Sequence, residues 1–215
     1  MNNSILIINK PKGISSFDVI RHLKRLGIKK AGHIGTLDPL AEGVLVVFTG
    51  NKTKEIPKYE KLSKEYTAEI TFGLSTSTMD AEGDITAEKN SSELTESQLQ
   101  TALKIFMGKI IQTPPMHSAV HHQGTRLYEL ARKGITVERK PREAEIFNLE
   151  LTEFNSGTRA TARLRVLCSS GTYIRVLAED IGKAVGLPAC LSALVRTKVG
   201  DFSIAEAIDL KNLRL

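Results

Sequence analysis

Three segments of the sequence alternate apolar and polar residues with a period of two, and this pattern constrains the fold more than any other feature. It is present over residues 65–73, 142–154 and 159–168. Because side chains of a β-strand point alternately to its two faces, each segment is predicted to be a long, half-buried strand. The inward residues are expected to be Tyr66, Ala68, Ile70 and Phe72 in the first strand, and Ala160, Ala162, Leu164, Val166 and Cys168 in the third, opposite Arg159, Arg163 and Arg165.

Shorter apolar segments and amphipathic helices surround these strands. Residues 5–8 and 44–48 predict two buried strands. A first helix is predicted to begin at Ser15 or Ser16 and to end at Gly27. Its inward stripe is expected to contain Phe17, Ile20 and Leu23.

Further helices are predicted near residues 126–133 and 174–185, and between Thr95 and Gly108. Thr95 and Gln98 have the spacing of a capping box, as do Ser203 and Glu206 in a last short turn. The order of strands and helices has no regular βαβ repeat. The sequence therefore predicts a single α+β domain over residues 1–215, with a mixed, mostly antiparallel central sheet flanked by helices and loops.

Several classes of protein are disfavoured by simple features of the chain. Apolar stretches do not approach the roughly 18 to 20 residues that span a bilayer, and the first 13 residues lack a signal-peptide pattern. Cys168 and Cys190 lie in apolar surroundings without metal-ligand spacing, which predicts buried, reduced thiols. We therefore expect a cytoplasmic protein.

The net charge of +6 conceals a strong segregation of charge along the chain. Residues 1–64 contain twelve bases and five acids (+7), and residues 65–103 one base and eight acids (−7). Residues 104–142 contain eight bases and two acids (+6), and residues 143–215 nine of each. Two basic blocks favour a surface that attracts a polyanion such as a nucleic acid. Lysine-rich faces that only keep the protein soluble are the alternative.

Asp38 is the first candidate for chemistry. It lies in a loop bracketed by glycines, Gly32–Gly43, beside a buried strand, and Pro39 restricts its backbone to extended conformations. A carboxylate on a rigid loop at the end of a strand is well placed to act as a nucleophile or general base. A turn aspartate bonded to its own backbone is the structural alternative.

Other residues support chemistry of a limited kind. His33, in the same loop, is a candidate proton carrier, ligand or stacking group, and a loop histidine with its hydrogen bonds satisfied locally is the alternative. The five histidines form no zinc-binding motif, and neither phosphate-loop nor dinucleotide-binding glycine patterns occur, so we expect no metal or cofactor. After Gly171, Thr172 can cap the last long helix, which places Arg175 in its first turn. A cation there opposes the helix dipole, which favours a carboxylate or phosphate partner for Arg175, and an ordinary surface arginine is the alternative.

The combination of motifs is more specific than any one of them. The loop over residues 32–45 reads GHIGTLDPLAEGVL. It closely resembles the signature loop of the TruB family, the bacterial tRNA pseudouridine-55 synthases, which are related to the catalytic subunits of box H/ACA particles. The resemblance continues in the family's order through LIINKPKGISS (6–16), KEY (64–66), STMDAEG (77–83), PPMHSA (114–119), GTRLYELAR (124–132) and CSSGTYIR (168–175).

The resemblance implies a pseudouridine synthase fold and an enzyme that isomerises uridine to pseudouridine at position 55, in the T-arm loop of tRNA, without a cofactor. It implies that Asp38 is the nucleophile, with the order of bond-making open, and that Arg175 pairs with it. Tyr66 matches the aromatic that stacks on the flipped uracil, and Tyr173 a second active-site tyrosine. Leu194 is the expected apolar wall.

The resemblance also implies how RNA is held. His33 corresponds to the residue that enters the RNA stack when the base leaves. Residues 104–142 correspond to a basic, RNA-clamping segment. Candidate phosphate contacts are Lys10 and Lys12 beside the loop, and Lys109, Arg126, Arg132, Lys133 and Arg142 in the clamp.

Longer family members add a C-terminal PUA domain, which we do not expect in this chain. We expect a monomer that needs no protein partner and does not bind a membrane. Two rivals are a relative that depends on a guide RNA, and an RNA-binding or RNA-folding protein whose benefit does not depend on catalysis.

Overall fold

The computed structural model describes residues 3–213, which form fourteen strands and five α-helices joined by short 3₁₀ turns. The strands are β1 Ile5–Lys10, β2 Ala31–Ile34, β3 Glu42–Thr49, β4 Lys64–Phe72, β5 Leu74–Thr76, β6 Ile85–Glu88 and β7 Gly108–Gln112. They continue with β8 His121–His122, β9 Thr125–Arg126, β10 Arg142–Asn155, β11 Thr161–Cys168, β12 Ala189–Val199, β13 Phe202–Ser203 and β14 Ile208–Asp209. The helices are α1 Ser16–Arg25, α2 Ile56–Tyr59, α3 Glu96–Leu103, α4 Leu127–Arg132 and α5 Ile174–Ala184.

Ten of these strands form one sheet in the order β14-β1-β3-β12-β4-β11-β10-β7, with β2 added to β3 and β13 to β12. Its two parallel contacts are β1–β14 and β3–β12, and the other pairs are antiparallel. Two hairpins, β5–β6 and β8–β9, lie outside it. The predicted α+β fold with a mixed, mostly antiparallel sheet is confirmed.

The main core lies on one face of β4, β11 and β12, where α3 and α5 cover the sheet. Every residue predicted to point inward from β4 and β11 is buried, and the three opposing arginines are exposed. The capping boxes at Thr95 and Ser203 are present. A second core packs α1 against β1 and β3 through Val19, Ile20 and Leu23. Both cysteines are buried free thiols.

Three local predictions need correction, and one central strand was not predicted. Phe17 is 57% exposed, because the buried stripe of α1 runs through positions 16, 19, 20 and 23. His33 lies on strand β2 and not in the loop. Thr172 does not cap α5, because its hydroxyl donates to the Ser169 carbonyl and Tyr173 occupies the N-cap position. Strand β12 has no counterpart among the predicted elements, although it lies in the middle of the sheet.

Candidate active site

A cleft of about 810 Å³ opens above the loop that joins β2 to β3. The loop is fixed by hydrogen bonds to the segment before and at the start of α1. The Ser16 hydroxyl accepts from the Leu37 amide (2.8 Å) and lies 3.0 Å from its carbonyl, and the Gly13 amide donates to the Pro39 carbonyl (2.8 Å). Leu37 and Leu40 are buried. Their burial anchors the loop on both sides of Asp38 and holds that carboxylate in the cleft wall.

Arg175 connects two carboxylates at the base of the cleft. Its Nη2 lies 3.0 Å from Oδ2 of Asp38, and its Nη1 lies 3.6 Å from Oδ2 of Asp80. The same two nitrogens donate to the carbonyls of Thr78 (3.0 Å) and His117 (2.9 Å). The Arg175 side chain is 6% exposed and that of Asp80 4%, whereas Asp38 keeps 43% exposure. Arg175 is therefore a buried anchor that leaves one side of Asp38 open to the cleft.

The surroundings of Asp38 act on its charge in opposite directions. Burial raises the pKa of Asp38 above the ordinary value, Arg175 lowers it, and the nearby charge of Asp80 raises it again. The raising influences prevail. Such a carboxylate is a better proton acceptor and a stronger nucleophile than a free aspartate once it is ionised.

Two tyrosines and a leucine lie behind this ion pair. Tyr66 on β4 and Leu194 on β12 are each 8% exposed and belong to the main core together with Leu37. Tyr173 precedes α5 and is held by Gln112 on β7, whose side-chain amide pairs with the Tyr173 backbone (2.9 and 3.1 Å). Burial raises the pKa of both tyrosines, and the charge of Asp38 raises both further.

Lys10 does not occupy the position that we predicted for it. Its side chain is 0% exposed, and its ammonium donates to the carbonyls of Pro11 (2.9 Å) and Ile14 (2.7 Å). Burial lowers its pKa to about 8, against the opposing influence of Asp38. A phosphate cannot contact this ammonium in the described conformation, so Lys10 is a structural group beneath the loop. Lys12 is exposed, as expected.

The mouth of the cleft is formed by α1 on one side and the region of β9 and α4 on the other. Each side presents an aromatic ring with an arginine over it, Phe17 with Arg21 (5.6 Å to the ring centroid) and Tyr128 with Arg132 (5.5 Å). His33 lines the same cleft, with Nε2 3.2 Å from the Thr36 hydroxyl. Burial lowers the pKa of His33 to about 4, with Arg196 and Arg126 acting in the same direction, so the ring is neutral at physiological pH.

Apart from the buried Lys10, the predicted phosphate contacts separate into two groups. Arg126 and Arg132 line the cleft beside Asp38, His33 and Arg175. The others are exposed but lie outside the described cleft wall: Lys12, Lys109, Lys133 and Arg142. Lys109 pairs with Glu143 (3.1 Å) across β7 and β10. Arg142 lies near enough to Tyr173 for its charge to oppose the rise that burial causes in the pKa of Tyr173.

Asp80 and Arg196 belong to the site although the residue patterns did not single them out. Asp80 accepts from the Thr78 hydroxyl (2.5 Å) and the Glu82 amide (3.1 Å), which turns its second oxygen toward Arg175. Its signal was its place in the STMDAEG segment. Arg196 is 1% exposed and sits opposite Tyr66 in the β12–β4 register. Between residues 3 and 213, we find no cluster of three potential metal ligands and no helix able to span a bilayer.

Comparison with known proteins gives a consistent result. Residues 23–174 match the family model described as TruB family pseudouridylate synthase, N-terminal domain. The tRNA pseudouridine synthase B of Syntrophomonas wolfei is 50% identical over 211 residues, which cover 97% of this chain and 70% of that protein. The protein of the same name from Symbiobacterium thermophilum is 48% identical over 212 residues, covering 98% and 71%.

Solved structures show the same fold. A crystal structure of a Cbf5-Nop10-Gar1 complex contains a chain with a TM-score of 0.74 and 30% identity, matched over 97% of this chain. A structure of an H/ACA RNP bound to a substrate RNA containing 2'-deoxyuridine gives a TM-score of 0.71 and 27% identity. The present chain spans 53% and 51% of those two chains, about half of their length.

Proposed function

The chain belongs to the TruB family of pseudouridylate synthases, and we propose that it isomerises uridine to pseudouridine at position 55, in the T-arm loop of tRNA. The observation that carries this proposal is the Asp38–Arg175 pair. An exposed face of the Asp38 carboxylate lines a cleft, while a buried arginine fixes its other face. This is the arrangement that a nucleophile on a rigid support requires.

The reaction needs no group from outside the chain and the RNA. The N1–C1′ bond of uridine breaks, the uracil turns within the site, and C5 bonds to C1′. C5 then loses its proton to water, and N1 acquires one. We assign to Asp38 the role of nucleophile, to Arg175 that of holding Asp38 oriented and ionised, and to Leu194 that of an apolar wall. Tyr66 is 8% exposed, so stacking of the uracil on it requires that part of the ring become accessible when RNA binds.

A uridine stacked in a loop must be turned out before it can reach Asp38, which costs a few kcal/mol. The two ring–arginine pairs at the mouth suit unstacked RNA, because flat rings stack on bases and guanidinium groups contact phosphates. We assign to neutral His33 the role of filling the vacated position in the RNA stack. Its lowered pKa favours this role, since an uncharged ring enters a base stack at a smaller desolvation cost.

We propose further that residues 1–215 act as one catalytic domain in which 104–142 clamp the RNA, with Arg126 and Arg132 closest to the reacting base. Tyr173 contributes its hydroxyl, and the Gln112 side chain holds the Tyr173 backbone in place. The enzyme is proposed to work as a monomer in the cytoplasm. The Cbf5 chain of similar fold was solved with Nop10 and Gar1, so dependence on protein partners is a question for the assay below.

The decisive experiment uses unmodified tRNA tritiated at uridine C5, with wild type and Asp38→Asn side by side. Bonding of C5 to C1′ releases the tritium to water. Release by the wild type alone, with equal tRNA binding by both proteins, supports the proposal. Tritium release by Asp38→Asn would show that Asp38 is not the nucleophile. Binding without release by either protein favours an RNA-binding or RNA-folding protein, or an enzyme that requires partners.

A further inference from the structure

Arg196 is a fully buried cation that has no anionic partner among residues 3–213. It is 1% exposed, and among residues 3–213 no carboxylate forms an ion pair with it. In the part of the chain that the structure describes, its Nε donates to the Val44 carbonyl (2.7 Å), its guanidinium lies beside the Tyr66 side chain of the neighbouring strand, and its Nη2 has no partner. Removing an unpaired charge from water costs several kcal/mol. A guanidinium kept at such a cost is expected to have a function beyond packing.

Arg196 contacts both ends of the loop that contains Asp38. At the start of the loop, a Cβ at Gly35 would lie only 2.9 Å from Nη1 of Arg196. At its end, Gly43 and Arg196 are partners in the parallel contact of β3 with β12, and Nε holds the carbonyl of the next residue, Val44. A shift of this one guanidinium would therefore be felt at both ends of the Asp38 loop.

The contact with Tyr66 has a definite direction. A guanidinium has donors and no acceptor, so in a hydrogen bond between the two side chains the Tyr66 oxygen is the acceptor. The hydroxyl proton of Tyr66 is then left to point away from Arg196. Asp38 is a carboxylate close enough to Tyr66 for its charge to raise the Tyr66 pKa, as the Cys168 thiol also does. Arg196 thus determines the direction in which the Tyr66 hydroxyl can donate a hydrogen bond. It also determines how that direction is oriented relative to the nucleophile, Asp38.

We propose that Arg196 is a positioning residue for the isomerisation, which acts through Tyr66 by fixing the direction of the Tyr66 hydroxyl relative to Asp38. This inference rests on the proposed function. The charge effects agree with it, because Arg196 opposes the rise that burial causes in the pKa of Tyr66. Lys64 adds a second buried cation close to Arg196, with its own ammonium bound to the carbonyls of Glu60 (3.0 Å) and Leu62 (2.6 Å).

The test is a double-mutant cycle on the single-turnover rate of tritium release. We expect Arg196→Met to slow release at least about tenfold, and to slow it less than about threefold when Tyr66 is already Phe, because coupled residues are not additive. Binding of tRNA should stay within about twofold of wild type, since Arg196 is buried. Lys198→Met, an exposed cation on the same strand, is the matched control and should leave the rate unchanged.

Each outcome decides the question. Equal slowing by Arg196→Met in both backgrounds would show a structural role and overturn the proposal. If Arg196→Met lacks a cooperative thermal transition, the same cycle is run with Arg196→Lys, whose ammonium lacks the Nε–H and the planar fork of donors of the guanidinium. A wild-type rate in Arg196→Lys would equally overturn it. Absence of release by the wild type refutes the proposed function and this inference together, whereas additive effects in an active enzyme refute this inference alone.

Discussion

Replacement of Arg175 by methionine separates the structural role of the buried ion pair from its role in chemistry. Arg175 serves two carboxylates and two backbone carbonyls, and its side chain is 6% exposed. Methionine is long and apolar, so it fills most of the space without providing a donor. In Arg175→Met the Asp80 carboxylate, 4% exposed, is left without its cation.

The expected loss of stability follows from this burial. Removal of one partner from a buried ion pair costs about 3–5 kcal/mol, because the remaining charge is uncompensated. The contact with Asp38 adds little, since that side chain is 43% exposed and screened by water. For a chain of this size, a loss of that order lowers the melting temperature by roughly 10 °C.

The assay compares Arg175→Met with the double variant Arg175→Met/Asp80→Asn in thermal denaturation and in tritium release. The asparagine oxygen can still accept from Thr78 and the Glu82 amide, so the double variant should regain much of the lost stability. Turnover should stay at least about 100-fold below wild type in both, because Asp38 is no longer held in place. Recovery of turnover in the double variant, or a melting temperature of the single variant equal to wild type, would refute this reasoning.

Three further outcomes are expected. Because burial raises the pKa of Asp38 and only its ionised form is nucleophilic, kcat/KM should fall with decreasing pH, with an apparent pKa above that of an ordinary aspartate. In Asp80→Asn this fall should move to lower pH, because the charge of Asp80 raises the pKa of Asp38. A pH–rate profile of both proteins tests this. Lys12→Ala should weaken RNA binding and reduce the slope of log Kd against log salt by about 1, whereas Lys10→Met should leave the slope unchanged, because Lys10 is buried. Gly43→Ala should lower stability by about 2 kcal/mol in denaturant titrations, because at φ +99° its methyl group would overlap a carbonyl oxygen of β12.

The elements that the sequence predicted correctly are those in which a local pattern determines the outcome. Strands β4 and β11 have one face in the core and one in solvent, so their period of two is visible in the residues. Thr95 and Gln98 satisfy each other's backbone amides within four residues, which makes the start of α3 a local decision. For Arg175, its place in a first helical turn left an anionic partner and an ordinary surface position as alternatives, and its contact with Asp38 agrees with the first.

The elements that the sequence did not reveal depend on neighbours far along the chain. Strand β12 is enclosed between β3 and β4 and has register shifts near residues 192 and 197, so its apolar residues form an irregular run. Phe17 is one position away from the buried stripe of α1, and only the packing of that helix on β1 and β3 decides which stripe faces inward.

The same distinction explains why the charged core of the site was found only in part. A sequence pattern treats Lys10, Lys64 and Arg196 as solvated cations, because the carbonyls that bind them become acceptors only after the chain has folded. Two of these cations have a pKa lowered to about 8 by burial, which is a cost to folding at neutral pH. Burial of these three cations lowers the folding stability of the protein. Arg196 and Lys64 both lie close to Gly35 in the Asp38 loop, and Lys10 is near enough for the charge of Asp38 to raise its pKa, so all three buried cations are neighbours of that loop.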